Sequence, residues 1–296
     1  MPLSAVYRRI NMDLFDINVI KPLLANHGFH FSKSKGQNFL TARWVPERIA
    51  AESGIDDGCG VLEVGPGIGV LTSELGKAAA KVCAVELDKM LSPVLAETLG
   101  GRDNIKVIEG DILKTDLHEL VAREFEGLRP RVCANLPYNI TTPVLSALID
   151  SGCFEGITVM IQREVAHRIC SKPGTADYGA FTVYANYHTE PKILFDVPPS
   201  CFIPQPKVYS SVITLTPRKD KYPVKSEDMF FKTVKASFLQ RRKTLVNGLT
   251  SFFGNLSKDD IISAILECGF DEKVRGETLS IPEFAALADK LFELTN

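Results

Sequence analysis

Short apolar runs rich in β-branched residues recur along the first two thirds of the chain, separated by stretches with helical spacing. The runs are Gly60–Val64, Lys81–Glu86, Ile105–Glu109, Val132–Asn135, Ile157–Gln162, Ile193–Val197 and Ser211–Leu215. Among the first five lie helical patterns such as Leu71–Lys77, Met90–Leu99 and Pro143–Asp150. Near-continuous apolar strands alternating with helices predict a parallel sheet, because a strand covered on both faces has no polar side to show. The last two runs lack a comparable helix between them, and Pro198, Pro199, Pro204 and Pro206 punctuate the connection. They are expected to close one edge as an antiparallel pair.

Beyond Thr216 the pattern becomes helical throughout. A polar linker, Pro217–Pro223, leads into Met229–Leu239, with Phe230, Val234 and Phe238 at helical spacing. Ser257-Lys258-Asp259-Asp260 and Ser280-Ile281-Pro282-Glu283 are helix-start signals. A boundary near residue 217 therefore separates an α/β domain, 36–217, from a helical one, 218–296. Ahead of both, residues 1–35 carry Phe15, Val19, Leu23 and Leu24, the pattern of one amphipathic helix, with a further RNA or cofactor-cap contact as its expected role. No repeat or low-complexity tract is visible.

Composition adds three constraints. The 45% apolar and 24% charged fractions are those of a soluble globular protein. No window is apolar enough for a membrane span, and the first twenty residues lack the features of a secretory signal, so a cytoplasmic location is expected. The seven cysteines are odd in number and have no Cys-x-x-Cys spacing, which reads as buried thiols in a reducing compartment rather than disulfides or a zinc centre; no metal is expected. The net charge of −2 hides a segregation: residues 217–243 hold nine basic and three acidic side chains, and 251–296 hold four and nine. A local basic stripe can contact phosphates on an acidic chain, although the same stripe can also be a solvated helix face.

Candidate chemistry sits at the strand ends. Gly65-Pro66-Gly67-Ile68-Gly69 follows the first run and opens a helix, which permits close backbone approach to a ligand. Val70 stands where a dinucleotide fingerprint has its third glycine, which disfavours nicotinamide and flavin cofactors. Glu86, 21 positions after Gly65, ends the second run and can accept both ribose hydroxyl protons. Asp111 follows the third run and can accept from an adenine amino group. With no Gly-Lys-Ser/Thr and no basic residue in the loop, a cofactor with adenosine but no phosphate fits: S-adenosylmethionine.

Asn135-Leu136-Pro137-Tyr138 ends the fourth run. Alone it would be an ordinary turn. Beside such a cofactor it suits methylation of an exocyclic adenine nitrogen, whose lone pair is delocalised into the ring. Two acceptors, the Asn135 side-chain oxygen and the Leu136 carbonyl, would localise that lone pair. Pro137 keeps Leu136 extended, and Tyr138 offers a face on which a flipped-out base can stack. The sulfonium donor is already activated, so orientation rather than a strong base is required.

These motifs together resemble the bacterial small-subunit rRNA adenine dimethyltransferases, the KsgA family. The resemblance runs through Gly36–Leu40, Glu63–Gly69, Val85–Asp88, Gly110-Asp111, Asn135–Ile140, Gln162–Ala166, Phe202–Val208 and Phe238–Leu245. It implies a Rossmann-like class I methyltransferase with a seven-stranded, mostly parallel sheet and a small all-helical C-terminal domain. It implies that Asn38 and Leu40 join Gly65, Gly67, Glu86, Asp111 and Asn135 around the cofactor; from the residues alone, Gln37-Asn38-Phe39 is only a polar turn. The implied substrate is a pair of adjacent adenosines in the 3′-terminal hairpin loop of 16S rRNA within the 30S subunit or its precursor, each receiving two methyl groups. Arg241, Arg242 and Lys243 are expected to contact rRNA phosphates, with a domain-interface ion pair as the alternative for Arg241. A monomer is expected. Tyr209 departs from the family, which often has Asp there. Three rival readings are a related 23S rRNA methyltransferase, from which Pro66 and Gln240-Arg241-Arg242-Lys243 separate it, a DNA adenine methyltransferase, and a non-catalytic ribosome-assembly factor.

Overall fold

The computed structural model describes residues 12–29, 37–240 and 243–295. The chain forms two compact units, Met1–Ala166 with Lys192–Pro217, and His167–Pro191 with Arg218–Asn296.

All seven apolar runs are strands. They are β2 (Cys59–Val64), β3 (Lys81–Glu86), β4 (Ile105–Glu109), β5 (Arg129–Asn135), β6 (Gly156–Gln162), β7 (Thr189–Val197) and β9 (Ser210–Pro217). Their order in the sheet is β4-β3-β2-β5-β6-β9-β7. β2 through β6 pair in parallel, and β9 returns antiparallel to β6, with Gln162 opposite Ser210. β7 lies outside β9, so the last two runs do occupy one edge. Every residue of β2 is buried, which is why its sequence reads apolar without alternation. The chain order reverses between β2 and β5, and at such a switch point the carboxyl ends of the strands open a crevice. This is a doubly wound, Rossmann-like sheet.

The helices between these strands are α2 (Trp44–Glu52), α3 (Val70–Ala78), α4 (Ser92–Thr98), α5 (Leu117–Glu124) and α6 (Thr141–Asp150), with α7 (Arg163–Ile169) following β6. The N-terminal pattern forms α1 (Ile17–Asn26), capped by the Asp16 side chain. Its buried face is Ile20, Leu23 and Leu24, which join the sheet core with Phe29, Phe39 and Leu40, while Phe15 packs at the margin. Burial of these side chains contributes about 1.5–3 kcal/mol each, so α1 is part of the first unit's core rather than a separate segment. A two-stranded ribbon not visible in the pattern pairs β1 (Phe39–Leu40) with β8 (Phe202–Ile203), Leu40 opposite Phe202. The Ile203–Pro204 peptide is cis.

The second unit takes in residues that lie before position 217. α8 (Ala180–His188) brings Val183 and Tyr187 into one core with Phe230, Val234, Leu249, Ile261, Phe284 and Leu291. These come from α9 (Glu227–Leu239), α10 (Leu245–Phe252), α11 (Lys258–Glu267) and α12 (Ile281–Thr295). Segment 167–191 thus belongs with the helical unit, because Tyr178 and Tyr187 are buried in that core. Both helix-start signals are in place. Ser257 and Asp260 form a reciprocal capping box, and the Ser280 N–H donates to Glu283 Oε2 at 2.7 Å. All seven cysteines are free thiols, but only four are buried as expected; Cys153, Cys170 and Cys268 are half-buried. Among the described residues no helix is long and apolar enough to cross a membrane.

Candidate active site

The carboxyl ends of β2, β3, β4 and β5, with the segment entering β1, enclose a cavity of about 300 Å³. The loop after β2 passes three times through left-handed backbone, Gly65 at φ 66°, Gly67 at φ 62° and Gly69 at φ 88°, which any side chain would strain. A Cβ on Gly67 would also stand 3.1 Å from the Phe39 ring. Gly65 is held to β3 by its N–H donating to the Val85 carbonyl at 2.9 Å.

Glu86 closes the loop from the β3 side. Its Oε1 accepts the Asp88 N–H at 2.7 Å and its Oε2 the Gly67 N–H at 3.3 Å. Burial pushes its carboxyl above the usual range, opposed by those two N–H donors. Each oxygen keeps a lone pair for a ligand hydroxyl. Asp88 in turn accepts from Gln37 Nε2 at 3.0 Å, which ties the segment before β1 to the end of β3. Asp111, after β4, caps a 3₁₀ turn through the Leu113 N–H at 3.1 Å and lines the cavity.

Asn135 ends β5. Its Nδ2 donates to the Asn38 carbonyl at 3.4 Å, which fixes the amide orientation and leaves Oδ1 as acceptor. The Leu136 N–H donates to the Met160 carbonyl at 3.1 Å, and its side chain is buried. The Tyr138 hydroxyl lies 2.6 Å from Ser210 Oγ at the start of β9, so the sheet itself orients the ring. Burial pushes the Tyr138 phenol up.

Every residue expected around the cofactor or in the tetrad lines this one cavity: Asn38, Leu40, Gly65, Gly67, Glu86, Asp111, Asn135, Leu136, Pro137 and Tyr138. The reading from sequence left out Glu63 and Asp88, which also line it; both sat inside motifs but looked like core and turn residues. Arg241 and Arg242 lie outside the described residues, and Lys243 is exposed in the second unit. Much of the basic stripe is engaged: Arg218 pairs with Glu190, Lys221 with Glu227, Lys225 with Glu293 and Lys232 with Asp228.

The cavity wall carries Glu63, Glu86, Asp88 and Asp111 and, among the described residues, no Lys, Arg or His. That lining repels phosphate and suits a nucleoside ligand bearing positive charge. Such a ligand at the switch point of this sheet marks an S-adenosylmethionine-dependent methyltransferase, an enzyme class. More narrowly, the chain belongs to the ribosomal RNA adenine dimethylase family, whose model matches residues 28–289. It is 45% identical to a ribosomal RNA small subunit methyltransferase A of Geobacillus thermodenitrificans, over 93% of this chain and 95% of that one. It resembles a dimethyladenosine transferase from Plasmodium falciparum at 24% identity, with a TM-score of 0.71 over 87% of this chain and all but 3% of that one, a likeness of fold. The 23S rRNA methyltransferase ErmE is 25% identical, with a TM-score of 0.66, covering 86% of this chain and 100% of its own. The fold alone therefore does not separate the two ribosomal subunits as substrates.

Proposed function

We propose that this chain transfers methyl groups from S-adenosylmethionine to the exocyclic nitrogen of two adjacent adenosines in the 3′-terminal hairpin loop of 16S rRNA. The substrate is the 30S subunit or its precursor, each adenosine takes two methyl groups, and the enzyme works as a cytoplasmic monomer. The relatives named for the small subunit at 45% identity support this choice over 23S rRNA.

The observation that carries the chemistry is the anchored amide of Asn135 in the lining of an acidic cavity that has, among the described residues, no Lys, Arg or His. S-adenosylmethionine, when bound, supplies a methyl group already activated on a sulfonium sulfur. Asn38, Leu40, Gly65, Gly67, Glu86, Asp111 and Asn135 would hold it, with Glu86 accepting from the ribose hydroxyls and Asp111 from the adenine amino group. On the substrate side, Asn135 Oδ1 and the Leu136 carbonyl accept the two hydrogens of the target amine and draw its nitrogen toward tetrahedral geometry. Pro137 keeps Leu136 extended. Tyr138, steadied by Ser210, stacks on the base and sets the line of attack. After the first transfer one hydrogen remains, so one acceptor is left without its partner during the second. Arg241, Arg242 and Lys243 are the proposed phosphate contacts.

Tritiated methyl transfer to 30S subunits that lack the modification tests the reading. Wild-type protein incorporates four methyl groups per subunit at saturation, and Asn135→Ala and Glu86→Ala incorporate almost none. Binding of 30S without transfer would instead leave the chain a non-catalytic assembly factor.

A further inference from the structure

Tyr209 stands where the family often has Asp, and it is 44% exposed. It immediately precedes Ser210, whose Oγ lies 2.6 Å from the Tyr138 hydroxyl, so it flanks the tetrad at the same edge of the sheet. The Arg163 guanidinium lies over the Tyr209 ring, 4.7 Å from its centroid. Arg163 is exposed and, among the described residues, pairs with no carboxylate. Neither side chain is needed to join β6 to β9. Gln162 is already opposite Ser210, and the Arg163 N–H donates to the Tyr209 carbonyl at 2.9 Å. An Asp at 209 would neutralise Arg163, whereas Tyr leaves its charge and its fork of N–H donors for a phosphate. The cofactor cavity has, among the described residues, no Lys, Arg or His, so a phosphate beside a flipped-out base has to find its cation outside it.

We infer that Tyr209 and Arg163 seat the nucleotide next to the target adenosine: its base stacks on the Tyr209 ring and its phosphate pairs with Arg163. The inference rests on the proposed 16S rRNA substrate. A base drawn into the cavity leaves its neighbour without a stacking partner, and an exposed aromatic ring beside the tetrad replaces that partner. A stack needs only a π face, so the seat accepts adenine with or without methyl groups, as successive transfers to adjacent bases require. Tyr209 and Arg163 are thus positioning residues, which hold the RNA and touch no reacting atom.

Methyl transfer by the full chain to unmodified 30S subunits tests this through the split between KM and kcat. Tyr209→Ala should raise KM for 30S about tenfold, with kcat falling far less and the Kd for S-adenosylmethionine unchanged, and Tyr209→Trp should restore KM. Arg163→Gln should raise KM and reduce the slope of log K for 30S binding against log salt by about one, and Arg163→Lys should restore the slope. Subunits reconstituted with an abasic residue in place of one or the other adenosine separate a seat from a structural role. Wild type should bind one of these two substrates about tenfold more weakly than intact 30S. Tyr209→Ala should lose nothing further on that substrate, because base and ring are removed from the same contact. Undiminished binding of both abasic substrates by wild type, a loss that persists in Tyr209→Ala, or an unchanged KM in that variant would overturn the inference. No transfer to intact 30S by wild type would instead remove the proposed function, and the inference with it.

Discussion

Two glutamates at opposite ends of the sheet's physical chemistry, Glu86 and Glu124, are both buried, and their surroundings drive them in opposite directions. Glu86 meets only backbone N–H donors, and burial wins. Burial also pushes Glu124 up, but Lys106 Nζ at 2.6 Å, Arg123 Nε at 2.8 Å and Lys81 Nζ at 3.0 Å more than offset it and hold the carboxyl at about 2. The first arrangement suits a ligand site and the second a structural ion cluster. Because the folded value of Glu124 lies below the ordinary 4.5, its contribution is present above about pH 4.5 and is lost as pH falls toward 2. Glu124→Gln should therefore cost about 2–3 kcal/mol at pH 7 and progressively less in acid. Denaturant unfolding at pH 7 and pH 3 checks this; an equal cost at both would sink it. Tyr138 allows a sharper functional split. Tyr138→Phe keeps the stacking face and loses only the contact with Ser210, so kcat should fall less than about tenfold. Tyr138→Ala removes the face and should lower kcat/KM by about a hundredfold or more. Equal losses in single-turnover assays would make the hydroxyl, rather than the ring, the working part.

At the scale of elements, the site depends on a pairing that no periodicity announces. β1 and β8 are two residues each, far apart in the chain, and a two-residue strand has no alternation to read. The pairing nonetheless seats Asn38, whose carbonyl orients the Asn135 amide. Phe202 is buried opposite Leu40, so Phe202→Ala should loosen this segment. The expected result is a Kd for S-adenosylmethionine raised about tenfold, with Tm lowered by several degrees. Unchanged affinity in equilibrium titration would mean that the ribbon does not position the cofactor segment. Other parts were legible because local chemistry demands them. Gly65 and Gly67 occupy left-handed backbone, and Ser257 with Asp260 announces a helix start. Glu63 escaped notice because an acid inside an apolar strand looks like an exception until the cavity beside it is seen. The placement of 167–191 also lay beyond the pattern, since the aromatic residues of α8 would suit either core.

At the scale of the molecule, the chain is acidic overall yet carries nine basic residues between 217 and 243. Four of the described ones are spent on ion pairs inside the helical unit; of the other five, Lys219, Lys235, Arg241, Arg242 and Lys243, the consecutive run 241–243 is the proposed phosphate contact. Replacing these three by Ala should weaken 30S binding and reduce the slope of log K against log salt by about 2–3, with cofactor affinity unchanged. An unaltered slope in filter-binding assays would return them to the role of surface charge. The central claim concerns where the methyl groups go. Mass spectrometry of 16S rRNA fragments, taken from unmodified 30S subunits after incubation with this enzyme and S-adenosylmethionine, tests it most directly. The account predicts dimethyladenosine at two adjacent positions of the 3′-terminal hairpin loop and no methylation with Asn135→Ala. Methylation of 23S rRNA or of another adenine, or products confined to one methyl per base, would contradict it.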